Sequence, residues 1–134
     1  MDRISMTKLR EVLEASWDAK TAYLSVSQAG NPALGQCYPT SRVLQLYYPD
    51  MEIVEGAVKT TDGLEKHFWN LVIIEDHEYH IDLTWQQFPP GSIVQNYKIR
   101  ERNTLNDNQP TIERVQLLHD RVAKKLAAAD PISV

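Results

Sequence analysis

The chain has 134 residues and a formal net charge of -4, with 43% hydrophobic and 24% charged residues, a composition typical of a globular chain that buries roughly 70% of its unfolded surface. No apolar run approaches the roughly 20 residues of a membrane-spanning helix, and the scattered Lys and Arg, densest at "KIRER" and "KK", form no basic face, which argues against membrane and nucleic-acid partners. One cysteine excludes an internal disulfide and a four-thiolate zinc site, and with a polar N-terminus that does not read as a signal peptide it suggests a cytoplasmic protein.

In chain order, Leu9, Val12, Leu13 and Trp17 recur at helical spacing between charged residues, so the segment from Ser5 to Asp18 is expected to be an amphipathic helix. The stretch "SQAGNPALG" at 27–35 is rich in turn formers and reads as a loop. In "CYPTSRVLQLYYPD", Val43, Leu44, Leu46 and Tyr47 follow a helical pattern, Pro39 suits a first turn and Pro49 ends it, which puts Cys37 at or just before a helix N-terminus.

The period then changes. Segments 52–61, 67–74 and 78–85 are rich in β-branched and aromatic residues and are expected to form three antiparallel strands. Residues 86–110 hold three prolines and several asparagines and read mostly as loop, with a short strand at Ser92 to Tyr97. At the end, Ile112, Val115, Leu118, Val122 and Leu126 make one apolar stripe, predicting a helix capped by Thr111 with Lys124 and Lys125 near its C-terminal end. Without internal repeats, the chain is expected to be a single α+β domain over 1–134.

Cys37 is the first candidate for chemistry. A helix N-terminus can favour a thiolate and its N–H groups can bind an oxyanion, although a lone cysteine is equally an ordinary buried residue. His67 and Asp82 lie 15 residues apart on consecutive expected strands, and this odd separation across an even loop puts both on one face of a regular hairpin. A tip at Glu75 and Asp76 would set Asp82 opposite Trp69, whereas a tip at Asp76 and His77 would separate Asp82 from His67 by ~13 Å along the strand. Cys37, His67, His77, His80 and Asp82 are also potential metal ligands, but the three-residue spacing of His77 and His80 sends them to opposite faces of a strand, so no metal or other cofactor is expected. His119 falls in the terminal helix pattern and has no catalytic neighbour in sequence.

Together, Gly35, Gln36 and Cys37, then His67, Trp69 and Asn70, then Tyr79, His80, Asp82, Thr84 and Trp85 resemble the Cys, His and Asp motifs of papain-like and transglutaminase-like cysteine enzymes. The combination "NPALGQC", "HFWN" and "IDLTWQQF" is similar, more narrowly, to small bacterial proteins of the YunG type, over about residues 31–88. The resemblance implies a papain-like or transglutaminase-like α+β fold, with N-terminal helices packed on an antiparallel sheet. It further implies a triad in which Cys37 attacks an amide or thioester carbonyl, His67 moves the proton and Asp82 orients the imidazole. The Cys37 backbone N–H and the Gln36 side chain would serve an oxyanion hole, and Trp69 would wall the pocket. The implied partner is a small amide or thioester or an exposed peptide; oligomeric state is not readable. The competing expectation is a non-enzymatic binding domain of the same fold with an inactive triad.

Overall fold

The computed structural model describes residues 5–101 and 107–129. The N-terminal residues 1–4, the part of the expected loop around Asn103 and Asn106, and the last five residues lie outside them. The order is α1 (Met6–Ser16), α2 (Cys37–Tyr47), β1 (Glu52–Thr60), β2 (Gly63–Ile74), β3 (His77–Ile81), β4 (Ile93–Arg100) and α3 (Gln109–Ala129), with single 3-10 turns at Tyr23–Ser25 and Trp85–Gln87. The sheet order is β3-β2-β1-β4, and every pairing is antiparallel. The architecture is therefore α+β, and among the described residues no helix is long and apolar enough to cross a membrane.

The three helices pack on one another around fully buried Leu9, Leu13, Val43, Leu44, Leu118 and Val122. Ser5 caps α1 by accepting from the Lys8 N–H at 3.1 Å, which satisfies one of the donors that a helix start leaves open. Asn108, not Thr111, caps α3: its Oδ1 accepts from the Thr111 N–H at 3.0 Å. Residue Thr111 already lies inside the helix, so it cannot adopt the extended backbone that a cap needs. Two further details of α3 depart from the sequence pattern. Ile112 is 47% exposed, and Lys124 and Lys125 stand before the last turn, since the helix runs on to Ala129.

In the sheet, β2 begins earlier than expected, at Gly63, in a tight hairpin with β1. The β2–β3 hairpin turns at Glu75 and Asp76, which both take positive φ (52° and 69°), the geometry that matches the twist of the two strands. β3 ends at Ile81, not Trp85: the Asp82 carboxylate accepts from the Thr84 N–H at 3.1 Å, and this local turn stops the ladder. β3 thus pairs only with Asn70 to Ile74. The short strand expected at Ser92 to Tyr97 is the longer β4, paired to β1 with a bulge at Ala57/Val58.

The two sheet faces differ. Val72 of β2 and Ile81 of β3 pack against the helical core, and Asn70 donates its side-chain N–H to the Ser41 carbonyl of α2 at 3.1 Å. Residues of the other parity, Val54, Trp69 and Leu71, form a second buried cluster. Across that face the Tyr97 hydroxyl of β4 donates to Glu78 of β3 at 3.0 Å, with the Tyr97 ring against Trp69 and His80.

Candidate active site

Cys37 is the first residue of α2 and partly exposed. Gly35 delivers the chain to it with φ 78°, and a Cβ there would stand 2.5 Å from the Val26 side chain, so a larger residue meets both strain and a clash. Gln36 makes no side-chain cap on α2, the arrangement that leaves first-turn N–H groups open to an anion.

The Gln36 side chain is instead a strut. It is buried, its amide nitrogen donates to the Asp18 carbonyl at 2.9 Å, and its oxygen accepts from the Thr21 hydroxyl at 2.8 Å. It faces a small hollow with Trp17, Asp18 and Asn31, not the cleft at Cys37. The expected oxyanion-hole role for this side chain is corrected accordingly: its polar ends tie the loop before α2 to the end of α1, as burial of an amide demands. The backbone N–H of Cys37 is untouched by this correction.

His67 lies on β2 with no exposed surface. Its Nε2–H donates to Asp82 Oδ2 at 2.7 Å, and the other carboxylate oxygen is held by the Thr84 N–H. The offset between the two strands is closed because Asp82 has already left β3 and its turn folds back. Aromatic rings enclose the imidazole: Trp69 stacks on it at 5.5 Å and 29°, Phe88 meets it edge-on at 4.7 Å, and Trp85 lies 6.1 Å away. The segment "IDLTWQQF" thus supplies both the carboxylate and two rings that shield the ion pair from water.

Burial pushes the His67 pKa down, but the Asp82 hydrogen bond and the interaction with Cys37 outweigh it and raise the pKa to about 9. At neutral pH the ring is protonated. Its Nδ1 is buried and, among the described residues, meets no atom at hydrogen-bond geometry, while Cys37 is near enough to favour the protonated ring. With Nε2 committed to Asp82, Nδ1 is the nitrogen left to face the sulfur, close but not aligned, as catalytic pairs often are before substrate tightens them. The structure therefore brings Cys37, His67 and Asp82 together.

Trp69 is 4% exposed and does not line the cleft beside Cys37; it backs the imidazole instead of walling a pocket. Its indole N–H donates to His80 Nδ1 at 2.9 Å, which fixes the ring plane, and no side chain at Gly56 would leave room for it, since a Cβ there would overlap the indole. Sequence reasoning passed over Gly56, although a glycine inside a strand is a known mark of close approach. His77 stands at the start of β3, and His119 contacts Tyr47 edge-on at 5.8 Å and does not line the cleft beside Cys37.

The cleft itself has a volume of about 520 Å³, and Tyr23, Tyr38 and Phe68 supply its apolar surface beside Cys37. Tyr38 meets Phe68 edge-on at 4.8 Å, and its hydroxyl donates to Asp107; burial, then Asp107, pushes the Tyr38 pKa up. The opposite wall comes from the start of α3, through Asn108, Thr111 and Arg114. Nothing local in the sequence signals this wall, because it forms only when α3 docks on α2.

A model of the YunG protein family matches residues 5–127, and the chain belongs to that family. No curated protein and no solved structure matches it.

Proposed function

For this member of the YunG family we propose a cysteine-dependent acyl-transfer activity on an amide or thioester, with Cys37 as nucleophile, His67 as acid–base and Asp82 as the group that orients and charges the imidazole. The reading extends to a papain-like or transglutaminase-like lineage and a cytoplasmic setting. What supports it is one observation: a fully buried histidine bonded to a carboxylate through Nε2 at 2.7 Å, whose Nδ1 has no conventional partner and is influenced by the neighbouring cysteine. An apolar core gains nothing from such an unfilled polar atom, which costs about 1–3 kcal/mol.

In the first half-reaction the Cys37 sulfur attacks the carbonyl carbon. A tetrahedral oxyanion forms, and the Cys37 N–H at the start of α2 is a donor for it. The C–N or C–S bond of the substrate then breaks as His67 gives its Nδ1 proton to the departing amine or thiol. In the second half-reaction water or an amine attacks the thioester, its proton passes to His67, and the Cys37 thiolate departs. Hydrolysis, deamidation and transamidation share this course and differ in the final nucleophile.

The test is alkylation of Cys37 by iodoacetamide, followed by mass spectrometry between pH 5 and 9, in the natural chain and in His67→Ala. The expected result is ready reaction near neutrality that slows about tenfold or more without His67. Slow reaction in both folded chains would return Cys37 to a packing role and favour the binding-domain reading.

A further inference from the structure

The chain carries a net charge of -4, yet its cleft beside Cys37 is lined by Lys66, Arg100 and Arg114 against a single carboxylate, Asp107. That carboxylate is already satisfied: Arg42 Nε donates to it at 3.0 Å and the Tyr38 hydroxyl donates to its other oxygen. Arg100 is paired with Glu55 at 2.9 Å, and Lys66 reaches the same Glu55 only at 3.7 Å. Arg114 makes no ion pair among the described residues. Its guanidinium lies over the Tyr23 ring at 5.5 Å and donates from one terminal nitrogen to the neutral Thr111 hydroxyl at 3.0 Å.

Its Nε is buried and has no hydrogen-bond partner among the described residues. A cationic N–H withdrawn from water and left unbonded is expensive, so Arg114 brings to the cleft wall a cation whose charge the protein itself leaves unneutralised. The backbone adds to the field. Both α2 and α3 begin at this cleft, through Cys37 and Asn108, and helix starts carry partial positive charge.

We propose that the acyl substrate of this site bears a carboxylate, which docks against Arg114 at the α3 wall while its reacting carbonyl lies at Cys37. The inference rests on the reading of Cys37 as the acylated residue, and it narrows the substrate to acidic amides or thioesters such as an N-acyl amino acid. The planar guanidinium suits a planar carboxylate through paired N–H donors. The stacked Tyr23 ring holds the guanidinium in place, so little rotamer freedom is lost on binding. Lys66 acts as a second, mobile cation at the mouth.

The experiment compares two alkylating agents with the same warhead, bromoacetylglycine and bromoacetylglycinamide, which differ only in a terminal carboxylate or amide. Their rates on Cys37 are measured at low and physiological salt. The ratio of the two rates cancels the intrinsic nucleophilicity of the thiol and reports the anion site alone, whereas the absolute rate of the neutral reagent reports the Cys37–His67 pairing. In the folded chain the anionic reagent is expected to be favoured by about tenfold over its ratio on the urea-unfolded chain, a difference of the size of one charge-assisted hydrogen bond. Arg114→Gln brings the ratio of the two rates down toward its unfolded value, and Arg114→Lys restores part of it. Should Arg114→Gln loosen the α3 wall, Lys66→Gln, at an exposed position, is expected to lower the ratio by a smaller factor. A folded ratio equal to the unfolded one, or a ratio indifferent to Arg114, overturns the proposal; a slow neutral reagent with a preserved ratio refutes the acylation reading and leaves the carboxylate site standing. Competition by inorganic phosphate that exceeds acetate at equal ionic strength overturns the choice of carboxylate.

Discussion

Asp82→Asn is the substitution with the most direct physical readout. In the natural chain His67 binds its proton with a pKa of about 9, raised from an ordinary 6.5 although burial opposes it. A histidine whose pKa is higher folded than unfolded contributes stability that is fully present below about pH 6.5 and lost as pH rises through about 9. The span of the two values corresponds to about 3 kcal/mol, shared between Asp82 and Cys37. Replacing the carboxylate with an amide of the same shape removes the Asp82 share of that rise from a ring with no exposed surface, and the imidazole should then lose its proton at a lower pH than in the natural chain. Urea unfolding followed by tryptophan fluorescence at pH 6, 7, 8 and 9 measures the effect. The natural chain should lose stability across this window relative to Asp82→Asn, by up to about 3 kcal/mol in the difference. Stability curves that run parallel from pH 6.5 to 9 would show that Asp82 does not hold the proton on His67, and the triad reading would fall with it.

Gly56→Ala should displace the Trp69 indole, cost about 1–3 kcal/mol as an overpacking change, and slow iodoacetamide reaction at Cys37 because His67 loses its backing; a stable variant with unchanged reactivity would contradict this. Gln36→Ala should lower stability by about 1–3 kcal/mol through two lost buried bonds, visible as a reduced urea midpoint, while an unchanged midpoint with abolished turnover would restore the side chain to the oxyanion hole. Leu118→Ala, at a fully buried core position, should cost about 2–5 kcal/mol in the same unfolding assay, and a negligible loss would contradict a load on the core contacts of α3.

Local chemistry made much of this legible from the chain. The boundaries of α1 and α2 followed from Ser5, Pro39 and the apolar spacing, and one of the two weighed hairpin tips, Glu75 and Asp76, is the turn observed. The pairing of His67 with Asp82 depended on that tip and on a strand end that sequence placed too late. Asp82 capping its own turn competes with the β ladder, and periodicity does not display that competition. Other features were hidden for a common reason, namely dependence on distant partners. Gln36 had to choose between the cleft and the Asp18 carbonyl, and only packing of the loop against α1 decides it. The α3 wall with Arg114 and Thr111 belongs to a segment that carried no motif. β4 was read as short because the prolines and asparagines of 86–110 made the segment look mostly like loop, whereas pairing with β1 carries the strand on to Arg100.

The hydroxyl of Tyr97 bonding to Glu78 has a geometric meaning beyond one polar contact. β4 and β3 are the two outer strands of the sheet, and laid flat they would stand about 14 Å apart at the usual strand spacing. The Tyr97 and Glu78 side chains cross that width on the Trp69 face and tie the two edges of the sheet to one another. Trp69 lies beneath this tie, and the imidazole is stacked on Trp69. The aim of His67 thereby depends on an outer strand: a change on β4 that releases the tie, Tyr97→Ala among them, reaches the reactive sulfur without touching it.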